Sequence, residues 1–351
     1  MQALPPLTMC RRLLAATVVI LAGQTAIRPA AALTILPDFT SSITGAANAA
    51  AVEAAIDNSI ATIDSLYSNT GSISIVFQQS AGTFLGQSET FASPLTYSAY
   101  VADLRATSSL QPTNTVLATA LANLSSGNDA NGAKPVAVTT ADAFLALRQS
   151  GATGCFNSSG SIVSGCGTNY YGVITLSTSY TMNYGKTAVA GAYSAIDTVS
   201  HEIDEVLGGG GQGSMLNAVA NASTPLNGYV GALDLYRYSA PRTPNFTTVA
   251  STTAPPYFSV DGGVTDIVGF NQSSGGDFAD FATGTNVQSA FSSSGTVATY
   301  NAAAPETAMM ASIGYNPVIA GGSSVPEPGS LAIAVSGLTG LLAVRRRKTA
   351  S

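Results

Sequence analysis

The sequence predicts an α+β fold built on a mixed sheet, and three observations predict it. Apolar residues recur at helical spacing in several stretches, β-branched alternating runs lie between them, and the last third breaks into short segments separated by Gly, Ser and Pro. Charged residues make up 9% of the chain and hydrophobic ones 46%, enough apolar side chain for a sizeable core. The roughly 290 residues between the terminal segments suit one large domain or two tight lobes.

In chain order, residues 47–67 form an alanine-rich helical pattern in which Val52, Ala55, Ile56, Ile60, Ile63 and Leu66 recur on one face. Residues 72–78 (SISIVFQ) alternate and are β-branched, as a strand requires. Helices are expected over 95–107 and 113–124, with a shorter one over 140–148. Residues 171–177 (YGVITLS) read as a second strand, directly upstream of a helix that begins near Tyr193. After Gly213 come the short segments 233–238, 257–260 and 266–270, and a last helix is expected over 305–313.

The helix after Tyr193 carries the only histidine, in the run Ser200-His201-Glu202-Ile203-Asp204-Glu205-Val206-Leu207-Gly208. A helix with H-E-x-x-H binds zinc through two histidines one turn apart, with the glutamate between them as general base. Here the second ligand position holds Glu205, whose carboxylate can also bind zinc. Ile196, Val199, Ile203, Val206 and Leu207 gather on one face, while His201 and Glu205 fall on the opposite face with Glu202 beside them. The Gly208–Gly211 run stops the helix, because glycine costs about 1 kcal/mol per helical position and tolerates the left-handed cap. The other reading is an amphipathic surface helix that holds no metal.

Residues 1–32 read as a secretory signal peptide: Arg11 and Arg12, an apolar stretch from Leu13, then Ala30-Ala31-Ala32 as the cleavage site. Residues 318–324 read as a flexible linker. Beyond them, Val325-Pro326-Glu327-Pro328 precedes an apolar run from Leu331 to Val344 and the basic block Arg345-Arg346-Arg347-Lys348. Fourteen residues, mostly apolar, fall short of the ~20 that span a bilayer. This tripartite segment, residues 325–351, resembles the PEP-CTERM sorting tail of Gram-negative bacteria. The resemblance implies export to the cell envelope, cleavage near Pro-Glu-Pro by an exosortase-type processing enzyme, and only transient membrane contact through signal and tail.

Of 19 acidic and 13 basic residues, one acid and seven bases lie in the terminal segments, which leaves residues 33–325 strongly acidic. That balance argues against nucleic acid or an anionic membrane as partner of the mature domain. Cys155 and Cys166 are the only cysteines outside the signal segment, and an even pair in an exported chain reads as a disulfide.

Strand, long glycine-tolerant connection and metal-motif helix follow the order seen in zincins, where the strand before that helix is an edge that holds extended substrate. The motif run, Leu233-Asp234-Leu235-Tyr236-Arg237-Tyr238, Tyr257-Phe258-Ser259-Val260-Asp261-Gly262-Gly263, Phe270-Asn271 and Gly276-Asp277-Phe278-Ala279-Asp280 resemble a family of predicted exported bacterial metalloproteases. Leu85-Gly86-Gln87-Ser88 is also similar. The resemblance spans most of residues 35–317 and implies a zincin-like metalloprotease domain, residues 33–317, that hydrolyses polypeptide, with zinc as cofactor.

Metzincins draw a third histidine from beyond the turn glycine, but Gly211 stands at that position here. The third ligand must then come from farther along, and Asp234 is the candidate. On a strand over 233–238 it would share a face with Tyr236 and Tyr238, whose phenols could stabilise an oxyanion. Asp234 could instead cap a turn or pair with Arg237. Asp261, Asp266, Asp277 and Asp280 lie in glycine-rich turns, as ordinary turn residues or as calcium ligands. The expected enzyme is an exported zinc-dependent endopeptidase in which Glu202 activates a water at the metal held by His201, Glu205 and Asp234. The alternative is a non-catalytic matrix or adhesion protein on a degraded zincin scaffold.

Overall fold

The computed structural model describes residues 33–124, 134–149, 154–217 and 228–318, apart from 159, 165 and 283. The signal segment, the sorting tail and the linker after Val318 lie outside the described residues.

Alternation and helical period build the first layer as a parallel βαβ unit. β1 (Leu33–Phe39) passes through the single turn α1 (Ser41–Thr44) into α2 (Ala49–Leu66), and β2 (Gly71–Ser80) returns parallel to β1. Leu33 and Ile35 of β1 and Ile73, Ile75 and Phe77 of β2 are buried in one core with Val52, Ile56, Ile60 and Ile63 of α2. Each such side chain contributes roughly 1.5–3 kcal/mol of burial, so the expected apolar face of residues 47–67 is the face that packs.

β8 (Gly172–Ser177) adds parallel to β2, and β3 (Gly86–Thr90) adds antiparallel to β8, which gives the order β1-β2-β8-β3. This corrects one expectation. β8, read as the edge, is an interior strand buried at all six positions, and the edge is β3. The sequence of β3, Gly-Gln-Ser-Glu-Thr, has no apolar alternation because the backbone ladder and its neighbours hold it in place.

A second sheet has the order β11-β5-β4, from Val230–Gly231, Val136–Thr139 and Ala92–Leu95. α5 (Thr140–Leu145) packs against it, and α3 (Tyr97–Ser109) packs on α4 (Thr115–Asn123); Thr139, Thr96 and Asn114 cap their N-termini. α5 ends three residues before the expected Arg148. A third sheet, β13-β12-β14-β15, is antiparallel and consists of Thr243–Pro244, Arg237–Ala240, Tyr257–Phe258 and Val268–Gly269. Two short pairs, β6–β7 (Cys155–Phe156 with Ile162–Val163) and β9–β10 (Met182–Asn183 with Tyr193–Ser194), flank the first sheet. The last helix, α7 (Pro305–Ser312), starts on its proline and buries Met309 and Met310.

Segment 233–238 is not one strand. Leu233–Tyr236 forms a 3-10 turn and only Arg237 begins β12. The carboxylate of Asp234 ties this turn to its surroundings: it accepts from Gly231 N at 2.7 Å, Met215 N at 2.9 Å and Ser214 Oγ at 2.6 Å.

Cys155 and Cys166 are bonded, with Cα atoms 5.2 Å apart. Closing a loop of this length removes about 3 kcal/mol of denatured-chain entropy. Cys166→Ser is therefore expected to lower the urea unfolding free energy by roughly 2–3 kcal/mol; an unchanged midpoint would show that the bond contributes nothing.

Candidate metal centre

α6 (Ala195–Val206) presents the motif residues, and both of its ends are closed by local chemistry. Ser194 Oγ accepts from Asp197 N at 3.1 Å. At the other end Gly208, with φ 98°, donates to Glu205 O, and Gly209 donates to Asp204 O at 2.7 Å. This paired glycine cap is the stop expected from the sequence. Val199, Ile203, Val206 and Leu207 face the core, and Ser59 Oγ ties α2 to Ile196 O at 2.9 Å. His201, Glu202 and Glu205 line a cleft of about 580 Å³.

One wall of the cleft is the edge strand with its approach, residues 83–88; the other is the loop from Gly275 to Ser292, which brings in Asp277 and Asp280. Gly86 is a steric requirement: a Cβ there would come within 2.5 Å of Glu202 Oε1 and 2.7 Å of Thr198 Cγ2. Glycine lets the strand lie directly on the motif helix.

The imidazole is oriented from behind. His201 Nδ1 donates to Val287 O at 3.0 Å, which aims Nε2 into the cleft. Nε2 lies 3.6 Å from Glu205 Oε1 and 3.5 Å from Asp280 Oδ2. Around an ion with bonds of about 2.1 Å, adjacent tetrahedral ligand atoms lie about 3.4 Å apart. The three residues offer ligand atoms all within 4.8 Å of one another, so this nitrogen and two oxygens fit a divalent cation.

Each acid has its own support. Glu205 accepts from Ser88 Oγ at 2.6 Å through Oε2 and from Gly211 N at 3.1 Å through Oε1. Gly211, which has no ligating side chain, thus holds Glu205 by its backbone. Asp280 Oδ1 accepts from Gln288 Nε2 at 2.9 Å. Asp277 is hydrogen-bonded by Asn217 Nδ2 and sits against Gly211.

The structure does not bring Asp234 into this group; its oxygens are taken up by the turn described above. Tyr236 and Tyr238 do not line the cleft either. The hydroxyl of Tyr236 donates to Ser312 O at 2.9 Å, and the phenols that do line the cleft are Tyr180 and Tyr193. Asp280 stands where Asp234 was expected. It belongs to the Gly276–Asp280 run already singled out as a motif, but a turn aspartate gives no local sign of where its loop will carry it.

Burial dominates the electrostatics. It pushes Glu202 well above the usual carboxylate range, and the charge of Glu205 adds to this. It raises Asp280 to about 8 and Asp277 to about 6, with His201 opposing in both cases. Burial would lower His201, but Asp280 and Glu205 outweigh it and hold the ring well above the ordinary histidine value. Glu205 is lowered despite its burial, by His201 and Ser88.

Residues 324–348 match the PEP-CTERM protein-sorting motif. That motif marks an exported, envelope-associated protein of Gram-negative bacteria with a tail processed by an exosortase-type enzyme. No curated protein and no solved structure matches the chain.

The raised values set a pH dependence. Asp277 and Asp280 keep their protons to higher pH when folded than the roughly 4 of an unfolded aspartate. Their stabilising contribution is present below about pH 4 and is lost as pH rises through about 6 and then about 8. His201 acts in the same direction over this window. Chelator-treated protein is expected to show a Tm that falls from pH 5 to pH 8, and Asp280→Asn is expected to flatten that fall. A Tm that climbs over the same interval would contradict the assigned electrostatics.

Proposed function

We propose that the protein is an exported zinc-dependent, endopeptidase-like hydrolase, with His201, Glu205 and Asp280 as metal ligands and Glu202 as the catalytic base. The observation that carries this reading is the aim of His201 Nε2: fixed from behind by Val287 O, it points between two carboxylates from separate elements. A zinc bound there would polarise a scissile carbonyl and acidify a water. Two carboxylates offset more of the ion's charge than two imidazoles would, so turnover should be modest.

Glu202 is one residue from the imidazole and buried beside the edge strand. It takes the proton from the attacking water and returns it to the leaving amine. Burial raises its proton affinity in the metal-free cleft, and a cation nearby would lower that affinity and favour the base form. β3 lies at the sheet edge along the same cleft, where an extended peptide can add main-chain hydrogen bonds. Phe84, Tyr180, Tyr193 and Phe291 supply apolar walls for its side chains.

Exported protein is expected to contain one transition-metal ion per chain and to cleave an unfolded polypeptide such as denatured casein. Glu202→Gln should keep the metal and lose at least about 100-fold in rate. His201→Ala should lose the metal. Hydrolysis by Glu202→Gln at the wild-type rate would remove Glu202 from its role. Wild-type protein with neither metal nor activity would return the chain to a matrix or adhesion role.

A further inference from the structure

Gln288 occupies the same group of atoms as the three proposed ligands and has no part in the mechanism above. It is fully buried. Its backbone is pinned on both sides: its N–H donates to Glu306 Oε1 at 3.0 Å, and its carbonyl accepts from Phe281 N at 2.8 Å. The side-chain nitrogen lies 3.2 Å from His201 Nε2 and 2.9 Å from Asp280 Oδ1. Gly210 backs it so closely that a Cβ there would come within 1.9 Å of Gln288 Nε2. The amide is therefore seated between the histidine and the aspartate with no room to swing out past Gly210.

Its other end is unsatisfied. Gln288 Oε1 is buried without any hydrogen-bond partner. A buried amide oxygen without a donor costs about 1–3 kcal/mol. Amide oxygen and nitrogen are nearly the same size, so a half-turn of the terminal amide exchanges them without moving the rest of the side chain. In the present orientation the amide N–H groups, which are partly positive, face the imidazole Nε2 and a carboxylate. A cation among the same atoms would repel those N–H groups and attract the oxygen.

We propose that Gln288 is a fourth protein ligand of the metal centre and binds through Oε1 after this half-turn. The inference rests on reading His201, Glu205 and Asp280 as metal ligands. It makes the donor set one nitrogen and three oxygens, which favours harder divalent ions more than a histidine-rich site does. In the metal-free protein the same side chain places its amide N–H groups where the ion would bring positive charge. This lets the acids stay together before loading.

The test compares the exported wild-type protein with Gln288→Leu and Gln288→Glu, each stripped by chelator and titrated with zinc or cobalt alone. Leucine is expected to weaken metal affinity at least about tenfold. Glutamate should bind more tightly than leucine, because it restores an oxygen ligand. If Gln288 only donates a hydrogen bond to Asp280, glutamate would face that carboxylate and bind no more tightly than leucine, which overturns the proposal and leaves the three-ligand site standing. Cobalt absorption is a second readout: the leucine variant should absorb more strongly than wild type as its coordination number falls, and an unchanged spectrum counts against the proposal. Should leucine prevent folding, a structure of zinc-loaded wild type decides: Oε1 at about 2.0–2.2 Å from the ion supports the assignment, and an amide nitrogen facing the ion overturns it. Wild type that takes up neither metal overturns the three-ligand reading itself and this inference with it.

Discussion

Four carboxylates, those of Glu202, Glu205, Asp277 and Asp280, share one cleft with a single imidazole, and the surrounding structure is organised to keep them there. Two like charges 4 Å apart repel by about 4 kcal/mol at an effective dielectric of 20. Left to themselves these side chains would turn to water. Three of them are instead held by donors from different parts of the chain: Ser88 and Gly211 on Glu205, Gln288 on Asp280 and Asn217 on Asp277. Protons offset part of the charge, as the raised affinities of Glu202, Asp277 and Asp280 record. A divalent cation would offset more.

The loop that delivers half of these acids has little regular structure, and its rigidity comes from a buried cation. Arg237 hydrogen-bonds the carbonyl of Phe278 and donates to Asn271 O at 3.2 Å. Its guanidinium lies over the rings of Phe270, at 5.2 Å, and Phe278, at 6.0 Å. Asn271 N in turn donates to Asp280 O at 2.8 Å. Side-chain forks and aromatic faces fix the loop where a longer ladder would do so in a sheet. Burial lowers the Arg237 pKa to about 10, so the group stays charged at physiological pH.

The elements legible in the sequence are those whose own residues specify them. α2, β2, β8 and α6 each carry a complete period, and the glycine cap of α6 announces itself. β3 was not legible, since its place comes from pairing with β8 and from the close approach allowed by Gly86. The site divides in the same way. His201, Glu202 and Glu205 share one helical turn, so spacing places them together. Asp280 and Gln288 reach the imidazole from 79 and 87 residues away, and only tertiary packing makes them neighbours. The other reading offered for Asp234, a turn-capping carboxylate, fits what the structure shows, since its oxygens accept from Gly231, Met215 and Ser214.

Glu306 stands on the first turn of α7 and holds the backbone of Gln288, whose neighbour Val287 orients His201. Past that helix, Tyr315 is fully buried and Val318 N donates to Leu66 O at 2.8 Å. The residues that lock the cleft are thus among the last of the domain to be made. A chain that crosses a membrane from its N-terminus would carry α6 out early but could not seat the imidazole until α7 had followed. In such a chain the order of the sequence would work as a timer, and the cleft would take its final form only after nearly all of the domain had crossed.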